Sequence, residues 1–431
     1  MQRTLSPAYR WQVLGMLWLV SFFNYADRQA LSSVLPLVQS ELGLTLVQLG
    51  MLASAFAWIY GLSSPFSGYV ADRIRRKLAI LGGLQIWSLI CTATALARSF
   101  PQLFLFRAAM GLGESVYFPA AMSLVSDYHG RRTRSTAMGW LQTSVYLGSI
   151  GGSFLAGLIG ESYGWRASFV VFGVCGIVLG LLLSRFLIEP SRGAADKEDP
   201  ERAKPGLALE RPIPRAALAP LLRTPTVLLL LGAFVCANFV ALVLLSWMPK
   251  FLYDRFQLSL AMAGLTATVF VQLASMVGAP LGGWLADRFL RRSAGGRIKV
   301  QLIGVLCGAP FVLVCGQTHS VLWLVLALTA WGLFKGLYDA NIFASLYDVV
   351  RPNARGTAAG LMNALGWLAG GGAAPVVVAY IAQKSDLSFA ISLTAGVYVL
   401  AGGLLLWALF TVPRDASRLE ALPATAPVLT K

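Results

Sequence analysis

Six ionisable side chains stand inside long apolar stretches of this chain: Asp27 and Arg28, Arg107 and Glu114, Lys335 and Asp339. An ionisable group at membrane depth costs at least ~2.5–3.5 kcal/mol on insertion scales, and such groups mark substrate or proton paths. The residue types suggest a division of labour. Arginine keeps its charge and offers a planar fork that grips a carboxylate through two hydrogen bonds. A buried carboxyl is pulled toward its neutral form by desolvation and toward its charged form by a nearby guanidinium, so it can take up and release a proton. Arg107 and Glu114 are seven residues apart and share a helix face. Asp27 and Arg28 are adjacent, so their side chains diverge by about 100° on a helix.

Arg28 is therefore the first candidate to hold an anion, with Arg107 assisting, and Asp27 and Glu114 are the candidate proton carriers. The same four groups could instead form a structural lock, Asp27–Arg107 or Arg28–Glu114, between two helices. Lys335 is a candidate second anion contact, although Asp339 lies one helical turn away and could simply neutralise it. Tyr25, Gln142, Tyr146, Asn238 and Asn363 add phenols and amides suited to reading hydroxyls. The competing role for each is an interhelical hydrogen bond, typically worth ~0.6 kcal/mol.

These residues need helices to position them. The chain has 431 residues, 57% hydrophobic and 13% charged, where a soluble protein carries roughly 25% charged residues. Its apolar runs are continuous rather than alternating and about twenty residues long, which predicts spanning helices and not a barrel. Twelve spans are expected, near 11–36, 46–70, 78–97, 101–126, 134–161, 166–188, 225–250, 259–286, 299–317, 320–347, 355–382 and 387–412. A Pro-rich, charged stretch at 189–224 reads as a linker between a six-helix bundle over 1–188 and a second over 225–412, followed by a tail at 413–431. The net charge of +16 does not point to nucleic acid. Lys and Arg concentrate in the two ends, the linker and every second loop, which is the positive-inside pattern. Both termini are expected in the cytoplasm, and the protein in the inner (plasma) membrane.

The two halves repeat. Gly68-Tyr-Val-Ala-Asp72-Arg73-Ile-Arg75-Arg76 follows the second span, and Gly283-Trp-Leu-Ala-Asp287-Arg288-Phe-Leu-Arg291-Arg292 follows the eighth. Arg134-Ser-Thr-Ala-Met-Gly139 is echoed by Arg355-Gly-Thr-Ala-Ala-Gly360. Asp72, Arg73 and Arg76, with Asp287, Arg288 and Arg291, are candidates for clamping an inner gate. With this duplicated loop and its 6 + linker + 6 layout, the chain resembles the major facilitator superfamily along essentially its whole length. Asn24-Tyr25-Ala26-Asp27-Arg28 and Arg107-x6-Glu114-Ser-x-x-Phe118-Pro119-Ala120 resemble its anion:cation symporter branch of sugar-acid carriers. Asp27-Arg28 and Gly111-x-Gly-Glu114 are also similar to spinster-like lipid transporters. The resemblance implies an all-α fold of two pseudo-symmetric six-helix bundles, and the roles already given to Asp27, Arg28, Arg107 and Glu114.

There is no Gly-x-x-x-x-Gly-Lys-Ser/Thr loop, so ATP hydrolysis is not expected. No metal-site or nucleophile-elbow spacing occurs, and no enzyme activity, cofactor or metal is expected. The five cysteines fall in apolar runs and suggest no disulfide framework. The sequence thus predicts a proton-coupled symporter of a small organic anion such as a sugar acid, working by alternating access as a monomer in the bilayer. The alternatives are a spinster-like lysolipid or amphiphile exporter and a multidrug efflux antiporter.

Overall fold

Lipid offers backbone groups no hydrogen-bond partners, so each apolar run satisfies its own N–H and C=O groups as a helix. A computed structural model describes residues 7–190, 221–293, 295–351 and 354–420. Residues 191–220 of the linker expected at 189–224, and 421–431 of the expected tail, therefore lie outside the described residues. The described helices are α1 (Pro7–Leu42), α2 (Leu46–Arg73), α3 (Arg76–Thr94), α4 (Phe100–Ser115), α5 (Tyr117–Tyr128), α6 (Arg131–Tyr163) and α7 (Trp165–Phe186). They continue with α8 (Pro225–Phe256), α9 (Leu260–Leu290), α10 (Gly296–Gln317), α11 (Val321–Asp339), α12 (Ile342–Asp348), α13 (Arg355–Leu365), α14 (Ala374–Lys384) and α15 (Leu387–Glu420). The pairs α4–α5, α11–α12 and α13–α14 each make one interrupted span, which gives twelve spans among the described residues. Glycine at positive φ marks two of the turns: Gly43 (φ 60°) after α1 and Gly164 (φ 82°) between α6 and α7.

The interruptions differ from the unbroken spans expected at 101–126, 320–347 and 355–382. α4 stops at Ser115, four residues before Pro119, whose ring leaves the Ser115 carbonyl without an intrahelical donor. α11 stops at Asp339, and the Asn341 side-chain amide bonds the Leu337 carbonyl at 2.9 Å, competing with the backbone ladder. α13 and α14 are joined through a π-helical turn at Gly366–Gly371. Several helices also outrun their apolar cores. The 36 residues of α1 measure about 54 Å at 1.5 Å per residue, well beyond a bilayer core of about 30 Å.

Among the described residues, ten spans are long and apolar enough to cross a membrane on composition alone. The two that fall short are α1 and α4–α5, the spans carrying Asp27, Arg28, Arg107 and Glu114. Helices this polar are held in place by their neighbours.

Two compact units emerge. The first joins α1–α7 to Val243–Val269 and Pro375–Lys384, which are the C-terminal part of α8, the N-terminal part of α9 and all of α14 but its first residue. Within this unit backbones touch directly. A methyl group on Gly157 would lie 2.5 Å from the Leu260 carbonyl oxygen, one on Gly264 2.5 Å from that of Ser153, and one on Gly50 2.6 Å from that of Pro375. The Ser33 and Ser153 hydroxyls bond at 2.6 Å, and the Gln29 amide donates to the Leu245 carbonyl at 2.8 Å. A buried apolar core built from Leu17, Val20, Leu84, Trp87, Tyr117 and Leu124 fills the space between α1, α3 and α5.

The second unit takes in the remainder of α8–α15. Its α9 and α11 approach at Gly278, Gly282, Gly332 and Gly336, each facing backbone of the other helix. Gly366 and Gly370 seat α8 beside the π-helical turn, against Phe234 and Asn238. This matches the way Gly148 and Gly152 of α6 seat α1 against Phe22 and Ala26.

The repeat extends to side-chain bonding. Arg76 at the start of α3 pairs with Asp127 at the end of α5, and Arg297 at the start of α10 pairs with Asp348 at the end of α12. Arg134 donates to the Ser126 carbonyl at 3.1 Å, and Arg355 donates to that of Tyr347 at 3.2 Å. Each residue of the second set stands 221 positions after its counterpart. The same offset sets Lys335 against Glu114, so equivalent positions carry opposite charge.

Candidate functional site

Small residues bring the charged positions of α1 and α4 together. Gly111 sits between Arg107 and Glu114, and a methyl group there would lie 2.7 Å from the Phe56 carbonyl oxygen and 3.1 Å from the Tyr60 nitrogen. α4 is thus pressed onto the backbone of α2. Gly113 lets α4 meet Trp87 of α3 in the same way, with a prospective Cβ 3.4 Å from the Trp87 Cβ. On the other side, a methyl on Gly152 would stand 2.3 Å from the Ala26 Cα, so α6 holds α1 tightly beside Asp27. The Ser67 and Ser115 hydroxyls (2.6 Å) and the Tyr117 hydroxyl on the Leu17 carbonyl (2.9 Å) complete the frame.

Within this frame the Arg28 Nε donates to Glu114 Oε2 at 2.5 Å. Glu114 is fully buried and the Arg28 side chain is 11% exposed. The Arg28 guanidinium lies over three rings: Tyr25 at 4.7 Å, Phe56 at 4.9 Å and Tyr60 at 4.7 Å. Such cation–π contacts are worth ~2 kcal/mol or more when desolvated. Arg107, also buried, lies 5.4 Å from the Phe56 centroid, so one ring is shared by both cations. Asn24 lies beside the Glu114 carboxyl. Asp27 is fully buried, with neither carboxylate oxygen hydrogen-bonded. Of the two ion pairs weighed from sequence, Arg28–Glu114 forms, while Arg107 acts on Asp27 only through its charge.

Chemically this is a buried guanidinium neutralised by an internal carboxylate. Arg28 is oriented by the rings. Two further carboxyl oxygens, both of Asp27, lie nearby and can accept protons.

The remaining predicted residues distribute as follows. Tyr25 belongs to the cage, and Tyr146 of α6 acts on it electrostatically. Gln142, one turn earlier, is exposed. In the second unit Lys335 pairs with Asp339 on its own helix, and their side chains are 18% and 45% exposed. The Asn238 amide donates to the Phe234 carbonyl of its own helix at 3.0 Å, and Asn363 is half-buried. Among the loop residues, Arg76 is buried in its ion pair with Asp127, and the Arg76 and Lys77 backbone N–H groups donate to Glu189. Arg73, Asp287, Arg288 and Arg291 are exposed, and the Asp72 side chain lies outside the described residues. Among the described residues no group of three or more His, Cys, Asp or Glu side chains is arranged to hold a metal ion.

Sequence reasoning missed Phe56 and the Trp87–Cys91 face of α3. Phe56 and Tyr60 are one helical turn apart, which is a signal for a shared face. Nothing in α2 says which way that face turns, because the helix is apolar all round.

Comparisons with known proteins give a consistent picture. The family profile described as Major Facilitator Superfamily matches residues 17–295 and 251–431. The chain is 27% identical over 421 residues to the hexuronate transporter of Bacillus subtilis (strain 168), covering 96% of each protein. It is 28% identical to a probable galactarate/D-glucarate transporter of the same organism, covering 87% of this chain and 86% of the relative. It is 29% identical to a probable sulfoacetate transporter of Cupriavidus necator, covering 89% and 90%. Among solved structures, a bacterial homolog of the human lysosomal transporter Spinster, inward-facing and unoccupied, superposes with a TM-score of 0.83. That match has 23% identity and covers 95% of this chain and 99% of the other.

Proposed function

This chain belongs to the major facilitator superfamily and is a multi-pass membrane transporter rather than an enzyme, and from that premise we propose that it carries a small organic anion together with protons by alternating access. The observation that supports this most directly is the buried Arg28–Glu114 pair inside its aromatic cage, with Asp27 beside it. A buried carboxylate bonded to a guanidinium is a built-in competitor for an anionic cargo. Protonation of Glu114 cancels its hold and frees Arg28 for a substrate carboxylate, which the fork can bind through two bonds. Arg107 shares the Phe56 ring and supplies a second positive charge nearby. Lys335, at the position equivalent to Glu114, is the proposed anion contact from the second half, taken up by exchange with its half-exposed partner Asp339. Tyr25, Gln142, Tyr146, Asn238 and Asn363 are proposed to read the uncharged part of the cargo.

The class of cargo we favour is a sugar acid or another small carboxylate, in keeping with the hexuronate transporter and the probable galactarate/D-glucarate transporter among its relatives. The repeated Arg76–Asp127 and Arg297–Asp348 pairs, with Asp72, Arg73, Asp287, Arg288 and Arg291, are proposed to brace the inner gate. The positive-inside pattern supports a cytoplasmic position for that end, both termini and the linker. We take residues 1–188 and 225–412 as the two rocking bundles of a monomer in the inner membrane.

The test is uptake into proteoliposomes of the purified full chain across hexuronates, aldarates, sulfoacetate and a lysolipid, with and without a pH gradient. The reading expects a carboxylate to accumulate when the outside is acid. Lysolipid movement with no carboxylate uptake, or accumulation indifferent to the proton gradient and abolished without sodium, would overturn it.

A further inference from the structure

Arg107 is a buried cation with no counter-ion in contact. It is 4% exposed, yet it takes part in none of the ion pairs formed among the described residues. One of its amino groups meets the thioether of Met110, one turn along α4, at 3.9 Å, and its Nε has no acceptor. A thioether accepts only weakly. Asp27, the other buried carboxyl of the site, makes no hydrogen bond to it or to any other group. Arg28 differs, because Glu114 already takes its Nε. Buried charges are normally paired, and leaving one unpaired is strongly destabilising. The unspent donors of Arg107 therefore call for an anion.

A single ring ties this cation to Arg28. The Phe56 centroid lies 4.9 Å from the Arg28 guanidinium carbon and 5.4 Å from that of Arg107. The two cations thus stand no farther apart than those lengths laid end to end. Phe56 is itself held in place. It is buried and stacks on Tyr60, with centroids 5.6 Å apart and planes 18° from parallel. Its carbonyl is where Gly111 presses α4 onto α2. Like charges at this range repel, with little water to screen them. The negative face of an aromatic ring attracts both and offsets part of that repulsion.

We propose that Phe56 is a positioning residue that keeps Arg28 and Arg107 together as a pair, and that the pair selects a cargo with two acid groups, one for each guanidinium. The inference rests on the reading of this site as a carrier of organic anions and narrows it to dianions. A cargo with one acid group would satisfy Arg28. With Asp27 protonated, it would leave Arg107 facing neutral oxygens, its buried charge uncompensated. Two acid groups neutralise both cations. The first must displace Glu114 from Arg28, but no carboxylate among the described residues bonds Arg107, so the second meets no such competitor.

The experiment is equilibrium binding of matched probes to the purified full chain: a six-carbon aldarate against the aldonate of the same sugar, and sulfoacetate against isethionate. Each pair differs by one carboxylate in place of a terminal CH2OH. The native protein should bind the dianion of at least one pair roughly tenfold or more tighter than its monoanion. Fluorinated phenylalanines at position 56 keep the size and packing of the ring while draining its negative face step by step. Along the mono-, di- and trifluoro series the dianion Kd should climb to roughly tenfold to thirtyfold above native, while the monoanion Kd moves by less than about threefold. A ring that merely filled space would give one Kd along the whole series, and that result overturns the role of Phe56. A Kd that climbs equally for both members of a pair overturns it too. Equal affinity within both pairs overturns the selection of dianions and leaves the organic-anion carrier standing. If none of the four probes binds or enters proteoliposomes, the organic-anion reading itself falls.

Discussion

Replacing Glu114 with Gln separates the two jobs assigned to that side chain. In the native protein Glu114 holds Arg28 by a charge-assisted bond of 2.5 Å in a site with almost no solvent access. A bond to a charged group is worth roughly 1.5–3 kcal/mol; the one a glutamine oxygen accepts from the same guanidinium lies at the low end of that range, because the opposite charge is gone. An incoming carboxylate must displace whichever one is present. The variant should therefore release Arg28 for about 1–2 kcal/mol less, which corresponds to roughly 5–30-fold tighter binding of the anion. Glutamine cannot take a proton, so this tight binding should no longer strengthen as pH falls. Gradient-driven accumulation should vanish while exchange of cargo across the membrane persists. Equilibrium binding of the transported anion at pH 6 and pH 8, with counterflow in proteoliposomes, reads all three effects. An unchanged Kd, or a Kd that keeps its native pH dependence, would show that Glu114 does not compete with cargo for Arg28.

Gly111→Ala should spread α4 from α2, because its methyl would fall 2.7 Å from the Phe56 carbonyl oxygen; a loss of about 1–3 kcal/mol is expected from overpacking and is measurable as a fall in Tm in detergent. Asp127→Asn should cost more thermal stability than Asp348→Asn. The Arg76–Asp127 side chains are only 7% and 8% exposed, against 23% and 30% for Arg297–Asp348, and breaking a buried pair costs about 3–5 kcal/mol. His129, in the turn between α5 and α6, donates from Nε2 to the Arg10 carbonyl and faces the Thr133 hydroxyl through Nδ1. Burial holds its pKa below the ordinary 6.5. The folded protein thus binds that proton less readily than the unfolded chain, so the stability contribution is full above pH 6.5 and declines as pH falls below it. Thermal scans from pH 7.5 to 5 should show this loss, and His129→Asn should flatten it; a wild-type scan level down to pH 5 would refute the assignment.

The helices and their polar exceptions were plain in the sequence because hydropathy and charge are local properties. Asp27, Arg28, Arg107 and Glu114 stood out as six-of-a-kind intruders with Lys335 and Asp339, and the two helices named from them do meet. Their pairing was not legible. Adjacent residues on α1 diverge, and only the glycine contacts at 111, 113, 148 and 152 fix which one turns to α4. The break at Ser115 had a visible cause in Pro119, whereas the break after Asp339 has no proline and depends on how Asn341 bonds. The aromatic cage was hidden for a different reason: a helix greasy on all sides carries no phase information, so nothing singled out Phe56. The correspondence of Glu114 with Lys335 was obscured by the loop after α9, which is longer than the one after α2. Anchoring the repeat on Asp72 and Asp287 gives a spacing of 215 positions, whereas the bonded residues beyond the loop keep 221.

The backbone-to-backbone contacts at Gly50, Gly157 and Gly264 have a kinetic implication. Where two main chains meet with nothing projecting between them, no torsion has to be reset when they part and none has to be found again when they rejoin. Such a joint closes without the rotamer entropy that a seam of interlocking leucines would lose on each stroke. In the alternating access proposed above, a joint of this kind would re-form at each turnover without that loss.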